Sequence, residues 1–355
     1  MSEAATFVYV SDAVDATIDA YVMDAKTGTL ASIGKAEAGK TVMPMAVAPD
    51  KRFLYAVVRS QPMRVLTYAI DGKSGALTQK ATAPLPDSMP YVSTDRGGRF
   101  LFTASYGGDK VAVSPIDEDR LVTAEPIQVL PTGRNAHSIL VDRTNRFVYS
   151  AILGANEVMQ FAFDAKSGKL APLDPPAVKL EPGHGPRHLA LSGDNKFLYV
   201  LNELSGYVAQ YAIDGANGTL KLMASVPSVP PELGMKWGQP QAPAGAAAAG
   251  PATAPTAEEK PAIWAADLRL TPNGKFLYTT ERNTDKIALF TVAPGTGTLT
   301  CGINIDPGGH YLVAAGEKSD RLSVYRIDQA SGKLGEPSRY PVGKGANWIE
   351  IVEAP

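Results

Sequence analysis

Cysteine is almost absent from this sequence: Cys301 is the only one in 355 residues. A single cysteine excludes an intramolecular disulfide and any zinc site built from thiolates, and it fits a reducing compartment. Metal chemistry thereby loses its usual ligands, and no metal or other cofactor is expected. No run of about 18 apolar residues occurs, and the N-terminal MSEAATFVYVS has no basic stretch leading into an apolar one. The expectation is a protein that does not enter a membrane and works in the cytoplasm. Excess charge is lacking too, since 34 Lys plus Arg against 36 Asp plus Glu gives a net −2. That balance argues against nucleic acid or an anionic membrane surface as partner. There is no P-loop, no Gly-x-Ser-x-Gly elbow, no His-Glu-x-x-His, no recurring Trp-Asp pair and no long amphipathic helix.

What is present is a repeat. A short β-rich run led by an aromatic recurs as FVYVSD from Phe7, FLYAVV from Phe53, FLFTAS from Phe100, FVYSAI from Phe147, FLYVLN from Phe197, FLYTTE from Phe276 and YLVAAG from Tyr311. Behind each comes a second strand and a turn closing on Leu, as in YAIDGKSGAL and FAFDAKSGKL, with PIDEDRL a degenerate third copy. The interval from aromatic to Leu stays between 21 and 24 residues in all seven units. Alternating apolar and polar runs separated by Asp, Gly, Ser and Asn turns indicate antiparallel strands. The first units repeat every 46 to 50 residues, the length of a four-stranded propeller blade. The sequence therefore predicts an all-β, seven-bladed β-propeller occupying residues 1–355 as a single domain. The C-terminal GKGANWIEIVE resembles the leading strands TVMPMAVAP and SMPYVSTD. It is expected to pair beside the Phe7 strand and close the ring, which removes two open edges.

Two intervals break the period. About 30 extra residues precede Trp264, and the Pro/Ala/Gly-rich segment 228–261 is expected to be a mobile surface excursion. Only 12 residues separate Leu299 from Tyr311, so one blade is expected to be short of a strand, its outer one, or distorted.

Aligning the units on the aromatic places Pro44, Pro90, His137, Arg187, Ala266 and Cys301 at one position of the leading strand, with Met45, Tyr91, Ser138, His188, Asp267 and Gly302 next. Six residues beyond the aromatic stand Arg59, Tyr106, Leu153, Glu203, Arg282 and Glu317. Both rings belong to one mouth of the central channel, because the start of the leading strand lies beside the end of its antiparallel neighbour. His137, His188, Arg187, Arg282 and Glu203 thus form a polar, cationic funnel suited to a small anionic substrate. A His or Glu there can take a proton from water. The equivalents of His137 and Arg187 in other blades are Pro, Ala and Cys, so the repeat itself does not require them. His184 reads as a turn residue and His310 belongs to the opposite hairpin. Arg59, Tyr106 and Glu317 line the rim or bond between blades.

The segments VMPMAVAPDKRFLYAVVR, NAHSILVD, GPRHLALS, FLYVLNELS, WAADLRLTPNGKFLYTTER and YLVAAGEKSDRLSVY resemble the seven-bladed propeller lactonases, the family of bacterial 6-phosphogluconolactonase and of fungal carboxy-muconate cyclase. The resemblance runs nearly full length. It implies a metal-independent site in the mouth at His137, Arg187, Glu203 and Arg282, which coincide with the aligned rings; His137, Arg187 and Glu203 are the expected catalytic residues, and Arg282 with the ring residues His188, Arg59 and Asp267 the expected substrate-binding ones. His137 or Glu203 would activate water against a lactone carbonyl while the arginines hold phosphate or the developing oxyanion. Where the family carries Pro-Arg-Gly-Phe, this chain reads TLTCGINIDP, with Cys301 in place of the arginine. The implied activity is hydrolysis of a phosphorylated sugar lactone by a monomer. The alternatives are a lactonase or cyclase for another carboxylated substrate, and a non-catalytic propeller that binds a partner through its face.

Overall fold

The computed structural model describes residues 5–241, 261–297, 299–301, 309–316 and 318–354. They form seven small antiparallel sheets arranged as blades, six of four strands and one of three. Blade 1 is closed as the sequence predicts: the C-terminal strand Ala346–Glu353 pairs with Thr6–Asp12 in continuous register, from Thr6 opposite Glu353 to Ser11 opposite Trp348. The core lies between blades, where strands buried on both faces such as Phe53–Val58 and Phe147–Ile152 meet their neighbours.

The two anchors of the repeat meet in space. In six of the seven blades the turn packs its glycine on the leading aromatic of the blade before it: Gly75 on Phe7, Gly168 on Phe100, Gly218 on Phe147, Gly297 on Phe197, Gly332 on Phe276 and, closing the ring, Gly28 on Tyr311. A Cβ at Gly218 would lie 2.2 Å from the Phe147 ring, and its φ of +78° suits glycine alone. Two residues after the aromatic, a tyrosine hydroxyl donates to the same turn: Tyr9 to the Gly75 carbonyl at 2.7 Å and Tyr149 to that of Gly218 at 2.8 Å. Most of these turns are shaped by an Asp whose carboxylate accepts backbone N–H groups just ahead of it, as Asp71 does from Lys73 and Ser74, whereas the blade 6 turn has Ala293 in that place. In the degenerate blade 3 Arg120 takes the left-handed conformation, φ +67°, and Tyr55 donates to its carbonyl at 3.0 Å.

The short interval resolves differently from expectation. Leu299–Cys301 pairs with Lys286–Val292 and is the outer strand of blade 6, with Cys301 opposite Phe290. Cys301 is therefore not at the mouth position that alignment assigns it. The hairpin of blade 6 claims the first residues of the short interval. Blade 7 keeps its outer strand, Ser338–Pro341. What it lacks, among the described residues, is the inner one. Gly302 and Glu317 lie outside the described residues.

The insertion also departs from expectation over its described part. Residues 228–241 are docked, with Gly238 N–H donating to the Leu204 carbonyl at 2.7 Å, a bridge between Lys236 and Ala262, and Trp237 packed on His184. The remainder, 242–260, lies outside the described residues. Composition averages over the segment and hides the few residues that find tertiary partners.

At the closure between blades 7 and 1 two carboxyls are buried together. Asp19 accepts from Tyr21 Oη and Gly343 N–H, both at 3.2 Å, and Lys35 Nζ stands 2.9 Å away. Asp12, fully buried, has no hydrogen-bond partner on either oxygen. A Cβ at Gly343 would lie 2.6 Å from its carboxyl carbon.

Candidate active site

The inner strands of blades 2, 4, 5 and 6 each break register near the mouth. The irregularities fall between Val42 and Met45, Ala136 and Ser138, Pro186 and His188, and Ala265 and Leu268. An extra residue in one strand of a pair bends it and re-aims a side chain. The residues at these bulges include His137, Arg187 and Asp267, so the sites the alignment singled out are also those where the backbone leaves the ladder.

Glu203 is the hub. It follows the strand Phe197–Asn202 and is buried. Its Oε2 accepts from Arg187 Nε at 2.7 Å and from Arg282 Nη2 at 2.9 Å. Arg282 also donates to the carbonyls of Trp264 and Ala265 and lies over the Trp264 ring at 3.9 Å. Arg187 Nη1 donates to the Ala266 carbonyl and to His188 Nε2, the latter at 2.9 Å. Because Nε2 faces a cation it is the acceptor, so His188 carries its proton on Nδ1 and donates it to Asp267 Oδ1 at 2.7 Å. Asp267 Oδ2 in turn accepts from Arg269 Nε at 3.0 Å. A continuous chain of polar contacts thus runs from Arg269 through Asp267, His188 and Arg187 to Glu203 and Arg282.

His137 stands apart from that chain. Its ring lies 5.2 Å from His188 and 5.9 Å from Tyr106, both edge-on. It is buried, and its Nδ1 has no hydrogen-bond partner. Burial, reinforced by Arg187, holds its pKa well below the usual imidazole range, and His188 is lowered to about 4 by burial and then Arg187. Both rings are neutral at pH 7. The difference is that His188 has both nitrogens engaged and His137 does not. Arg59 donates to Ser88 Oγ at 2.9 Å and Met43 Sδ at 3.0 Å but meets no carboxylate among the described residues. Burial and the Arg187 charge lower its pKa.

All seven residues expected from sequence are therefore placed around one mouth. The sequence reading did not include Arg269, Trp264 and Ser88 in the site. Arg269 had a signal, since it stands two residues beyond Asp267 in a strand. The rim residue His184, read as a turn residue, instead shares a hydrogen bond with Ser205 Oγ at 2.8 Å beside Trp237. Among the described residues no helix is long and apolar enough to cross a membrane, and no group of three or more His, Cys, Asp and Glu is arranged to hold a metal ion.

Comparison with known proteins bears on this mouth. Residues 7–351 match the family described as "Lactonase, 7-bladed beta-propeller". The chain is 36% identical to 6-phosphogluconolactonase of Serratia proteamaculans, covering 92% of each sequence. It is 35% identical to the enzyme of the same name from Pectobacterium carotovorum, over 97% of this chain and 98% of that one. Among solved structures, the periplasmic gluconolactonase of Pseudomonas aeruginosa superposes with a TM-score of 0.82 at 25% identity, over 99% of this chain and 100% of that one.

Proposed function

Since the chain belongs to the seven-bladed β-propeller lactonase family, it is a lactone hydrolase, and we propose that it opens 6-phosphogluconolactone to 6-phosphogluconate in the pentose phosphate pathway. The observation that carries the choice of substrate is the charge at the mouth. Arg187 and Arg282 share the Glu203 carboxylate, Arg282 also feels Glu281 and Arg269 feels Asp267 and Glu350, whereas Arg59 donates only to Ser88 and Met43. Arg59 is thus a guanidinium with no carboxylate partner among the described residues, in a partly buried site where a phosphate finds bidentate donors. Arg59 has no carboxylate to leave, so it is the primary phosphate ligand.

In this reading His137 is the general base. Glu203 has Oε2 committed to two arginines, whereas His137 is neutral with an unpartnered nitrogen. The imidazole takes a proton from water as the water oxygen attacks the lactone carbonyl, and Arg187 and Arg282 stabilise the oxyanion. The ring C–O bond then breaks, the leaving oxygen takes the proton from His137, and a carboxylic acid results that ionises in solution. General-base assistance of this kind contributes about 10²–10⁴-fold, and one oxyanion donor about 10²–10³-fold. Glu203 and the Asp267–His188 pair act by positioning the arginines.

The enzyme works as a cytoplasmic monomer in this reading. Phosphorylated sugars are confined to the cytoplasm by their charge, and pairing of Ala346–Glu353 with Thr6–Asp12 completes blade 1 within one chain, which a propeller of short blade edges needs for closure. The test is acid release from freshly generated 6-phosphogluconolactone above spontaneous hydrolysis, with a chelator and Arg187→Ala in parallel. Chelator-insensitive turnover that falls about 10²–10³-fold in the variant is the expected result. Folded protein that gives no acceleration overturns the substrate assignment.

A further inference from the structure

The first arm of the insertion crosses the mouth. Gly238 is fastened to blade 5 by its N–H on the Leu204 carbonyl, one residue beyond Glu203, and a Cβ there would meet the Ile263 carbonyl at 2.4 Å. Three residues later the Gln241 carbonyl accepts from Tyr106 Oη of blade 3 at 3.0 Å. Three residues reach at most about 10 Å, and blade 4 lies between blades 3 and 5. The segment 238–241 therefore spans the blade 4 corner of the mouth, where Tyr106 packs edge-on against His137. Trp237 secures the near end, its indole 5.0 Å from the His184 ring and 6.3 Å from Tyr207. The far side of the mouth, toward Arg282 and Arg59, is left to the anionic arm of the substrate.

Resting on the lactonase reading, we propose that this strap is a specificity wall: it admits lactones of a single sugar ring and turns away those carrying a second. A second ring directed at blade 4 meets backbone held at both ends, which cannot swing aside as a side chain does. Tyr106 and Trp237 are the specificity-determining residues, acting through the strap.

The experiment compares kcat/KM for glucono-δ-lactone and cellobiono-δ-lactone, both neutral, so that phosphate binding does not enter. It uses the full chain, Tyr106→Phe and Trp237→Ala. Tyr106→Phe keeps the ring against His137 and removes only the latch. We expect the unaltered protein to favour the single ring by about 100-fold or more, and each variant to narrow that preference about tenfold through a gain on the larger substrate. Turnover of 6-phosphogluconolactone stays within about threefold in both variants. Comparable rates on the two neutral lactones, or a preference unchanged in both variants, overturn the wall. Failure of the lactonase reading is distinguishable, because then none of the three lactones is hydrolysed. The wall is in that case decided by titration with gluconate and cellobionate, where the same preference and the same narrowing are required.

Discussion

Two buried carboxylates, Glu203 at the mouth and Asp12 at the closure, are treated in opposite ways. Glu203 lies between two guanidiniums that donate to it directly. Asp12 faces a second carboxylate, Asp19, and the one ammonium at hand, Lys35, belongs to Asp19 and is half exposed. The mouth thus gives its carboxylate two cations directly and the closure gives Asp12 none. Burial, with Asp19 next in effect, pushes the Asp12 pKa up to about 8, so at neutral pH Asp12 holds a proton with which it can donate to Asp19. A buried guanidinium without a carboxylate partner, as Arg59 is among the described residues, is where an anion is recognised. A surplus of buried carboxyls is a liability that a proton relieves.

Breaking the mouth gives the largest effect. Glu203→Ala leaves Arg187 and Arg282 buried and repelling each other, so kcat/KM is expected to fall about 10²–10³-fold. Denaturant titration should show about 3–5 kcal/mol of lost stability, because one partner of a buried ion pair has been removed. The two regions also respond to pH in opposite senses. His188, lowered to about 4, contributes stability that is full above the unfolded value near 6.5 and is lost as pH falls toward 4, and His137 acts in the same direction. Asp12 is raised, so its contribution is full below the unfolded value near 4 and is lost as pH rises through 8. Asp12→Asn keeps a permanent donor toward Asp19. Thermal melts across pH 4–9 should show the alkaline loss flattened, the acid loss unchanged, and a gain of about 1–3 kcal/mol at pH 8. A variant no more stable at pH 8 than the parent refutes the contrast. Lys35→Met gives the smallest effect. Its pair with Asp19 is half exposed, so the loss at pH 7 should stay below about 1 kcal/mol.

Much of this was legible in the sequence because the repeat states it seven times. The aromatic and the turn glycine recur since each blade needs both to fasten to its neighbour, and the C-terminal strand is recognisable because it copies the other leading strands. His137, Arg187 and Glu203 emerged as departures from that pattern. Where the repeat fails, so does the reading. Counting from the aromatic puts Cys301 at the mouth, but the interval there is shortened, the register of the count is lost, and the residue belongs to the outer strand of blade 6. Residues 228–241 looked mobile because proline and alanine dominate the segment, while Trp237, Gly238 and Gln241, which dock it, are too few to change the average. The clamping of Glu203 by two arginines from blades 5 and 6 arises only when the blades are side by side, and no spacing along the chain announces it.

The glycine-on-aromatic stitch has a direction, and direction carries a consequence for synthesis. Each leading aromatic is covered by the blade made after it, so a chain growing from its N-terminus always exposes the newest ring of apolar surface. Tyr311 alone is covered by an earlier blade, through Gly28. Blade 1 meanwhile waits for Ala346–Glu353 to supply its inner strand. A nascent chain of six blades is therefore unsealed at both flanks, a state prone to mispairing between copies. Residues 346–353, made after the seventh blade, decide whether the blades before them become a ring.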